Sequence, residues 1–290
     1  MNNFLQNTYK NISWITLIDS WKPWKNIGII AITHWNEPVW LKIFEYLINE
    51  FKINEKLKWW KIYLIANNIE AHKNYLESKD INKFRFINNN MNRISNKDFK
   101  YWSYEFERLD ELKQIFDEID IAIDIHSVSK WNDLIWISDK KYLNEAMSFF
   151  DVETFLVDEI WNTWDVIWYL IRNWKIGFGI ECGNHIDDRG FENWKRNILN
   201  FLSYYGSIKH TIKSSYDNIY EFVKEIYPKS DNFKYTKDFV WFTKLEKDEK
   251  FAVDWDLEHK NDLWENIYLW FPKKIPKKWD WAGFLFKKLK

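Results

Sequence analysis

Four short apolar runs, set between amphipathic segments, limit what this chain can fold into. They are NIGIIAIT (26–33), KIYLIAN (61–67), DIAIDIH (120–126) and KIGFGIE (175–181). Each is short, rich in Ile and apolar at consecutive positions, the pattern of a strand covered on both faces. Between them EPVWLKIFEYLINEF (37–51) reads as a helix entered through Pro38 in its first turn. YEFERLDELKQIFDEID (104–120) reads as a second, with Leu109, Leu112, Phe116 and Ile119 on one face and charges elsewhere; DDRGFENWKRNILNFLSYY (187–205) reads as a third. This order predicts an α/β fold, a largely parallel sheet with helices on both faces. After about residue 208 the texture changes. SSYDNIYEFVKEIY (214–227) reads as a helix stopped by Pro228, and short segments with turn signals follow. We therefore expect a main domain over 1–208 and a smaller β-rich domain over 209–290.

Charge and cysteine usage exclude several classes. The net charge of −1 supplies no global field toward nucleic acid or anionic lipid, and the lysines of 273–290 read as a solvated tail. No apolar run approaches the roughly 18 residues of a membrane span. The start, MNNFLQNTYKN, lacks the basic and apolar regions of a signal peptide. The single cysteine fits a reducing compartment, so the expectation is a cytoplasmic protein, as monomer or oligomer, with no nucleic-acid or membrane partner. Cys182 adjoins Glu181 on a strand and therefore faces the other way, as a buried structural thiol. His72, His210 and His259 have no partner spacing and read as surface residues.

Tryptophan stands where glycine belongs. The chain has Gly 7 and Trp 21, whereas average usage predicts roughly 20 glycines. Trp21 and Trp24 in DSWKPWKN, Trp59 and Trp60 in LKWWKIY, and Trp279 and Trp281 in KKWDWAG sit among turn residues. Glycine enters the left-handed region freely and tryptophan does not. Lys, Asn and Ile, which AT-rich codons favour, are abundant. We read many of the tryptophans, up to all of them, as UGA codons that the source organism translates as glycine. The opposing reading is a truly Trp-rich, non-catalytic binding protein with an aromatic surface.

The chemistry gathers at strand ends, where open α/β sheets hold their ligands. His34 and Glu37 follow the first run, His126 ends the third and Glu181 ends the fourth. Two His and one Glu with an open fourth position form the ligand set of a catalytic zinc. With Trp read as Gly, THWNEPVW (33–40) becomes T-H-G-N-E-P-V-G, which resembles the signature of the succinylglutamate desuccinylase/aspartoacylase family, relatives of the M14 zinc carboxypeptidases. FRFINNNMNR (84–93) resembles that family's arginine segment ending in D-L-N-R, DIHSVS (124–129) its D-L-H motif, GIECG (179–183) its G-I-E-x-G, and YLIANNIEAH its strand ending in N-P-x-A. The resemblance covers roughly residues 14 to 205.

It implies a zinc-carboxypeptidase-like fold and one zinc per chain, held by His34, Glu37 and His126. It implies Glu181 as the acid–base residue, Arg85 as the stabiliser of charge on the carbonyl oxygen, and Asn92 and Arg93 as the grip on a substrate carboxylate. Arg172 lies near a family substrate-binding arginine, offset by one residue. Asp124 reads either as the orienter of a ligand histidine or as a strand-end cap. The family's aspartate in D-L-N-R is Asn90 here, and the tyrosine that aspartoacylases bring from the C-terminal domain has no counterpart in KKWDWAGFLFKK (277–288). The implied reaction is hydrolysis of the amide of an N-acyl amino acid or similar small carboxylate. The nearest alternative is a metallocarboxypeptidase acting on peptides or cell-wall peptides.

Overall fold

The four apolar runs fold as strands, because isoleucines on both faces of each can be buried only between two layers of helix. The computed structural model describes residues 7–22, 25–34, 36–37, 39–78, 85–93, 103–128, 131–158, 165–185, 187, 189–278 and 281–290. Two compact units divide the chain: Met1–Glu153 with Ile160–Tyr216, and Thr154–Glu159 with Asp217–Lys290.

The first unit carries strands β1 (Ile15–Asp19), β2 (Asn26–Ala31), β3 (Lys61–Ala66), β4 (Ile121–Val128), β5 (Ile135–Asp139) and β6 (Ile176–Asn184). Its principal helices are α1 (Val39–Glu45), α2 (Ile69–Ser78), α3 (Tyr104–Phe116), α4 (Asp165–Arg172) and α5 (Arg189–Tyr204). The strand order is β5-β6-β4-β2-β3-β1. β6, β4, β2 and β3 run parallel, with β5 and β1 antiparallel on either side. All of β4 is buried. On one face Leu109, Leu112, Ile115 and Phe116 of α3 pack with Val166 and Leu170 of α4 against Ile30, Ile65 and Ala122. On the other, Phe178 of β6 meets Phe149, Phe150 and Phe201, the last from α5. Each large side chain buried in this way contributes about 1.5–3 kcal/mol.

Two boundaries differ from the sequence pattern. α1 is α-helical only to Glu45, and its last turn, Tyr46–Glu50, widens to a π-helix. α3 stops at Phe116, where Lys175 Nζ reaches across to the carbonyls of Phe116, Asp117 and Ile119 at 2.7, 2.6 and 2.7 Å. Ile119 therefore lies beyond the helix, although it joins the same core. Nor are all the charges of α3 outside: Glu105 and Arg108 are buried.

In the second unit Asn218–Ile226 runs parallel to Thr154–Asp158 and antiparallel to Gly283–Lys288, followed by Ile267–Trp270 and Thr243–Leu245. A separate three-stranded sheet comprises Lys234–Tyr235, Lys250–Asp254 and Leu257–Lys260. Residues 218–226 are thus a strand, not the helix their spacing suggests. Phe222 lies directly opposite Phe286, with ring centroids 5.7 Å apart, and such cross-strand pairs override a weak helical period. Among the described residues no helix is long and apolar enough to cross a membrane.

Two helices end in the same motif with different residues. After α5, Ser207 N donates to Leu202 O and Gly206 N to Ser203 O, with Gly206 at φ +76°. After α4, Lys175 N donates to Leu170 O and Trp174 N to Ile171 O, with Trp174 at φ +62°. Both are Schellman turns, whose left-handed residue is ordinarily glycine. Trp14, Trp21 and Trp255 also have positive φ, and Trp21, Trp174 and Trp255 are 87%, 96% and 71% exposed. Trp21, Trp174 and Trp255 thus carry the left-handed cost with their rings largely exposed, whereas the Trp14 ring packs against His72. Trp24 and Trp279 lie outside the described residues. Trp174→Gly should stabilise the chain by about 1 kcal/mol, the relieved left-handed cost less glycine's greater freedom when unfolded. Gly206→Trp should destabilise it by a comparable amount, and paired denaturant titrations measure both.

Candidate metal centre

The parallel register of β2, β4 and β6 brings their carboxyl ends together. His126 lies opposite Glu181, and Ile30 opposite Asp124. Residues paired across a ladder share a face, as do Asp124 and His126, two apart. Beyond His126 the register slips, for Val128 lies opposite Asn184. β6 absorbs the extra residue at Gly183, φ +90°, where a Cβ would come 2.6 Å from Asn132 O. At the end of β2 the chain turns at Ile32, a buried β-branched residue with φ +56°. Such a conformation costs about 1–3 kcal/mol. Asn67 N holds Ala31 O at 2.8 Å and Asn68 N holds Ile32 O at 2.9 Å, and the turn delivers Thr33, His34 and Glu37.

His34, Glu37 and His126 are 3%, 2% and 1% exposed, and one donor atom from each lies within 4.8 Å of the other two. Glu37 Oε1 is 2.9 Å from His34 Nδ1, and Oε2 is 3.2 Å from His126 Nδ1 and from Ser127 N–H. The opposite ring nitrogens are engaged behind. His34 Nε2 is 3.0 Å from Asn90 Oδ1, and His126 Nε2 is 2.9 Å from Asp124 Oδ2. Thr33 Oγ1 donates to Asp124 Oδ1 and accepts from Asn67 Nδ2. Acceptors on both Nε2 atoms turn both Nδ1 atoms inward, as a metal requires of its histidines. Asp124 therefore orients His126. Asn90, which stands where the D-L-N-R motif has aspartate, braces His34.

Charge is concentrated here. Burial, and then Arg85, push His34 down to about 4. Burial opposes the charge of Glu37, yet His34 and His126 hold its carboxyl well below the usual range. Burial also opposes the charge of His126, and Asp124 and Glu37 outweigh it to raise this imidazole well above 6.5. The proton it shares with Glu37 occupies ground that a divalent cation would take, with proton release. Arg85 NH2 lies 2.9 Å from His34 Nδ1 and 3.5 Å from Glu37 Oε1, bringing positive charge to the same atoms. Glu181 is 5% exposed and its Oε2 has no hydrogen-bond partner. Burial raises it to about 8, with His126 pulling down and Glu37 pushing up. The donor set fits a cation, and its nitrogen and carboxylate atoms suit zinc.

Asn92 is buried on the turn Met91–Arg93, with its N–H on Asn90 Oδ1 at 2.9 Å. The side chain of Arg93, and residues Trp35, Pro38 and Phe84, lie outside the described part. Arg172 is not brought to the others. It closes α4 just ahead of the amino end of β6, whereas His126 and Glu181 mark carboxyl ends; its guanidinium lies 5.8 Å above the Trp168 ring. His72, expected at the surface, is buried against Trp14, and burial lowers it to about 4. Cys182 is buried, as its place beside Glu181 requires. Ser127, within DIHSVS, gives its N–H to Glu37 Oε2, and its Oγ lies 2.7 Å from Nδ1 of His185, a loop histidine that could line a pocket mouth on sequence grounds.

No family model and no curated protein matches the sequence. Solved structures do match. Succinylglutamate desuccinylase from Vibrio parahaemolyticus is 19% identical with a TM-score of 0.74, covering 95% of this chain and 86% of that one. A succinylglutamate desuccinylase/aspartoacylase from Rhodobacter sphaeroides is 16% identical with a TM-score of 0.66, covering 97% and 93%. The product-bound ectoine utilization protein EutE (DoeB) from Ruegeria pomeroyi is 16% identical with a TM-score of 0.65, covering 98% and 93%. The chain has the fold of the succinylglutamate desuccinylase/aspartoacylase structures.

Two substitutions probe the centre. Asp124→Asn should weaken metal binding about 10–100-fold in a chelator competition, because His126 loses its charged acceptor. In chelated protein Glu181→Gln should melt several degrees higher at pH 7–8. A carboxyl with a raised folded-state pKa loses stability as pH climbs from its unfolded value near 4.5 toward about 8, and the amide removes that slope.

Proposed function

We propose that the chain is a zinc-dependent hydrolase that cleaves the amide bond of an N-acyl amino acid or similar small carboxylate. The observation that carries this reading is the placement of buried Glu181, whose Oε2 has no hydrogen-bond partner, opposite His126 in register and beside three converging candidate metal donors. His34, Glu37 and His126 would hold one zinc. When bound, zinc supplies a Lewis acid that polarises an amide carbonyl and acidifies water to a pKa of about 7.

The rest falls to the chain's own groups. Glu181 takes the proton from the attacking water and returns it to the leaving amine, and its burial sets its basicity near that task. The Arg85 guanidinium, already beside His34 and Glu37, is 44% exposed and so free to swing toward charge developing on the carbonyl oxygen. Asn92 and Arg93 receive the substrate carboxylate, which a guanidinium fork matches in two hydrogen bonds. Arg172, placed at the other end of β6, is left out of this set. The names of the structural neighbours support an acyl-amino-acid substrate, since a succinylglutamate desuccinylase acts on succinylglutamate.

The test uses a gene with every Trp codon recoded to Gly, beside the unaltered one. About one zinc per chain, lost in His34→Ala, together with release of amine from N-acyl amino acids, supports the reading. Glu181→Gln should lower kcat by about 10²–10⁴-fold while retaining the metal. Turnover of dipeptides in preference to N-acyl amino acids would instead make the chain a carboxypeptidase. A folded chain without metal would overturn the hydrolase altogether.

A further inference from the structure

α3 opens with a buried carboxylate that none of the site motifs includes. Glu105, fully buried, accepts Ile87 N–H and Asn68 Nδ2–H on Oε1 at 2.5 and 3.1 Å, and Asn88 N–H and Asn89 N–H on Oε2, both at 3.0 Å. Three successive backbone donors close around one carboxylate, and in return Asn88 Oδ1 accepts Tyr104 N–H at 3.1 Å. Four donors need four acceptor lone pairs, which a carboxylate has and a carboxamide does not. The clamped peptides lie between Arg85 and Asn90, and Asn90 is the residue that braces His34.

A second path leads to the same histidine. The Asn68 that donates to Glu105 also holds Ile32 O through its own N–H, fixing the strained turn just before Thr33 and His34. One helical turn on, Arg108 grips the carbonyls of Ala66, Asn67 and Ser13, anchoring the helix to the end of β3. α3 is thereby tied to the sheet by one buried charge and to the arginine loop by the other.

We infer that Glu105 is a positioning residue. It sets the path of residues 87–89 and so places Arg85, Asn90 and the Asn92–Arg93 turn relative to His34, Glu37 and His126. Where this concerns substrate, it rests on the deacylase reading above. Glu105 touches no substrate and acts through the loop it shapes.

The experiment is Glu105→Gln in the full chain, a change that keeps volume and sets an amide N–H₂ against backbone donors. Amide exchange at Ile87, Asn88 and Asn89 should be slow in the unaltered chain and about tenfold or more faster in the variant, while β4 amides keep their rates. For an N-acyl amino acid KM should rise about tenfold and kcat should fall as Arg85 loses its place, and the same substrate with its carboxyl amidated should show the fall in kcat without the rise in KM. Fast exchange at the three amides in the unaltered chain, a measurement independent of whether the variant folds, would overturn the assignment. So would unchanged exchange in the variant, equal acceleration in β4, or a KM rise that ignores the carboxylate. Should neither protein turn over any amide, the deacylase reading fails while the exchange rates still decide whether Glu105 holds the loop.

Discussion

Both oxygens of Glu37 are committed, one to His34 and one to His126, and the second also takes the Ser127 N–H. A buried carboxylate shared in this way fixes three elements at once: the turn after β2, the end of β4 and the register slip beyond His126. The slip is local and falls beside Ser127, whose N–H Glu37 takes, at Gly183, where a Cβ would meet Asn132 O. The interactions behind the centre, Asp124 with Thr33 and Asn67, and Asn90 on His34, give the rings a single orientation. The histidines thus meet Glu37 with their rings held from behind.

Much of this was legible in the sequence because chemistry and periodicity coincided there. The runs at 26–33, 61–67, 120–126 and 175–181 became β2, β3, β4 and β6, since continuous Ile-rich segments have only one kind of place to go. His34, Glu37, His126 and Glu181 followed, because parallel strands end on one edge. Residues 214–227 misled because Ile219, Phe222, Val223 and Ile226 carry a helical 3–4 spacing, and only the partner strand reveals that Phe222 faces Phe286. Glu105 and Arg108 escaped for a related reason. Charges on a helix read as solvated until the backbone groups they serve, distant in sequence, are brought beside them. Arg172 was placed by motif alone, and the run of α4 into β6 sets it at the opposite end of that strand.

The tryptophans bear on both layers of the structure. At Trp174 the hydrogen bonds of a helix stop match those at Gly206, so the backbone requirement is visible independently of the residue that meets it. Trp35 falls between His34 and Glu37 in sequence and outside the described residues; the signature that THWNEPVW resembles has glycine at that place.

Ile32 sets stability against rigidity at one position. A β-branched residue with φ +56° is a standing cost at the threshold of the centre, held by the N–H of Asn68. Selection for stability alone would trade it for glycine or asparagine, and the chain before His34 would then gain freedom that Glu37 alone would have to restrain. A branched side chain at this φ leaves the segment before His34 fewer conformations than glycine would, so at this one position a gain in stability comes with a loss of rigidity beside the centre.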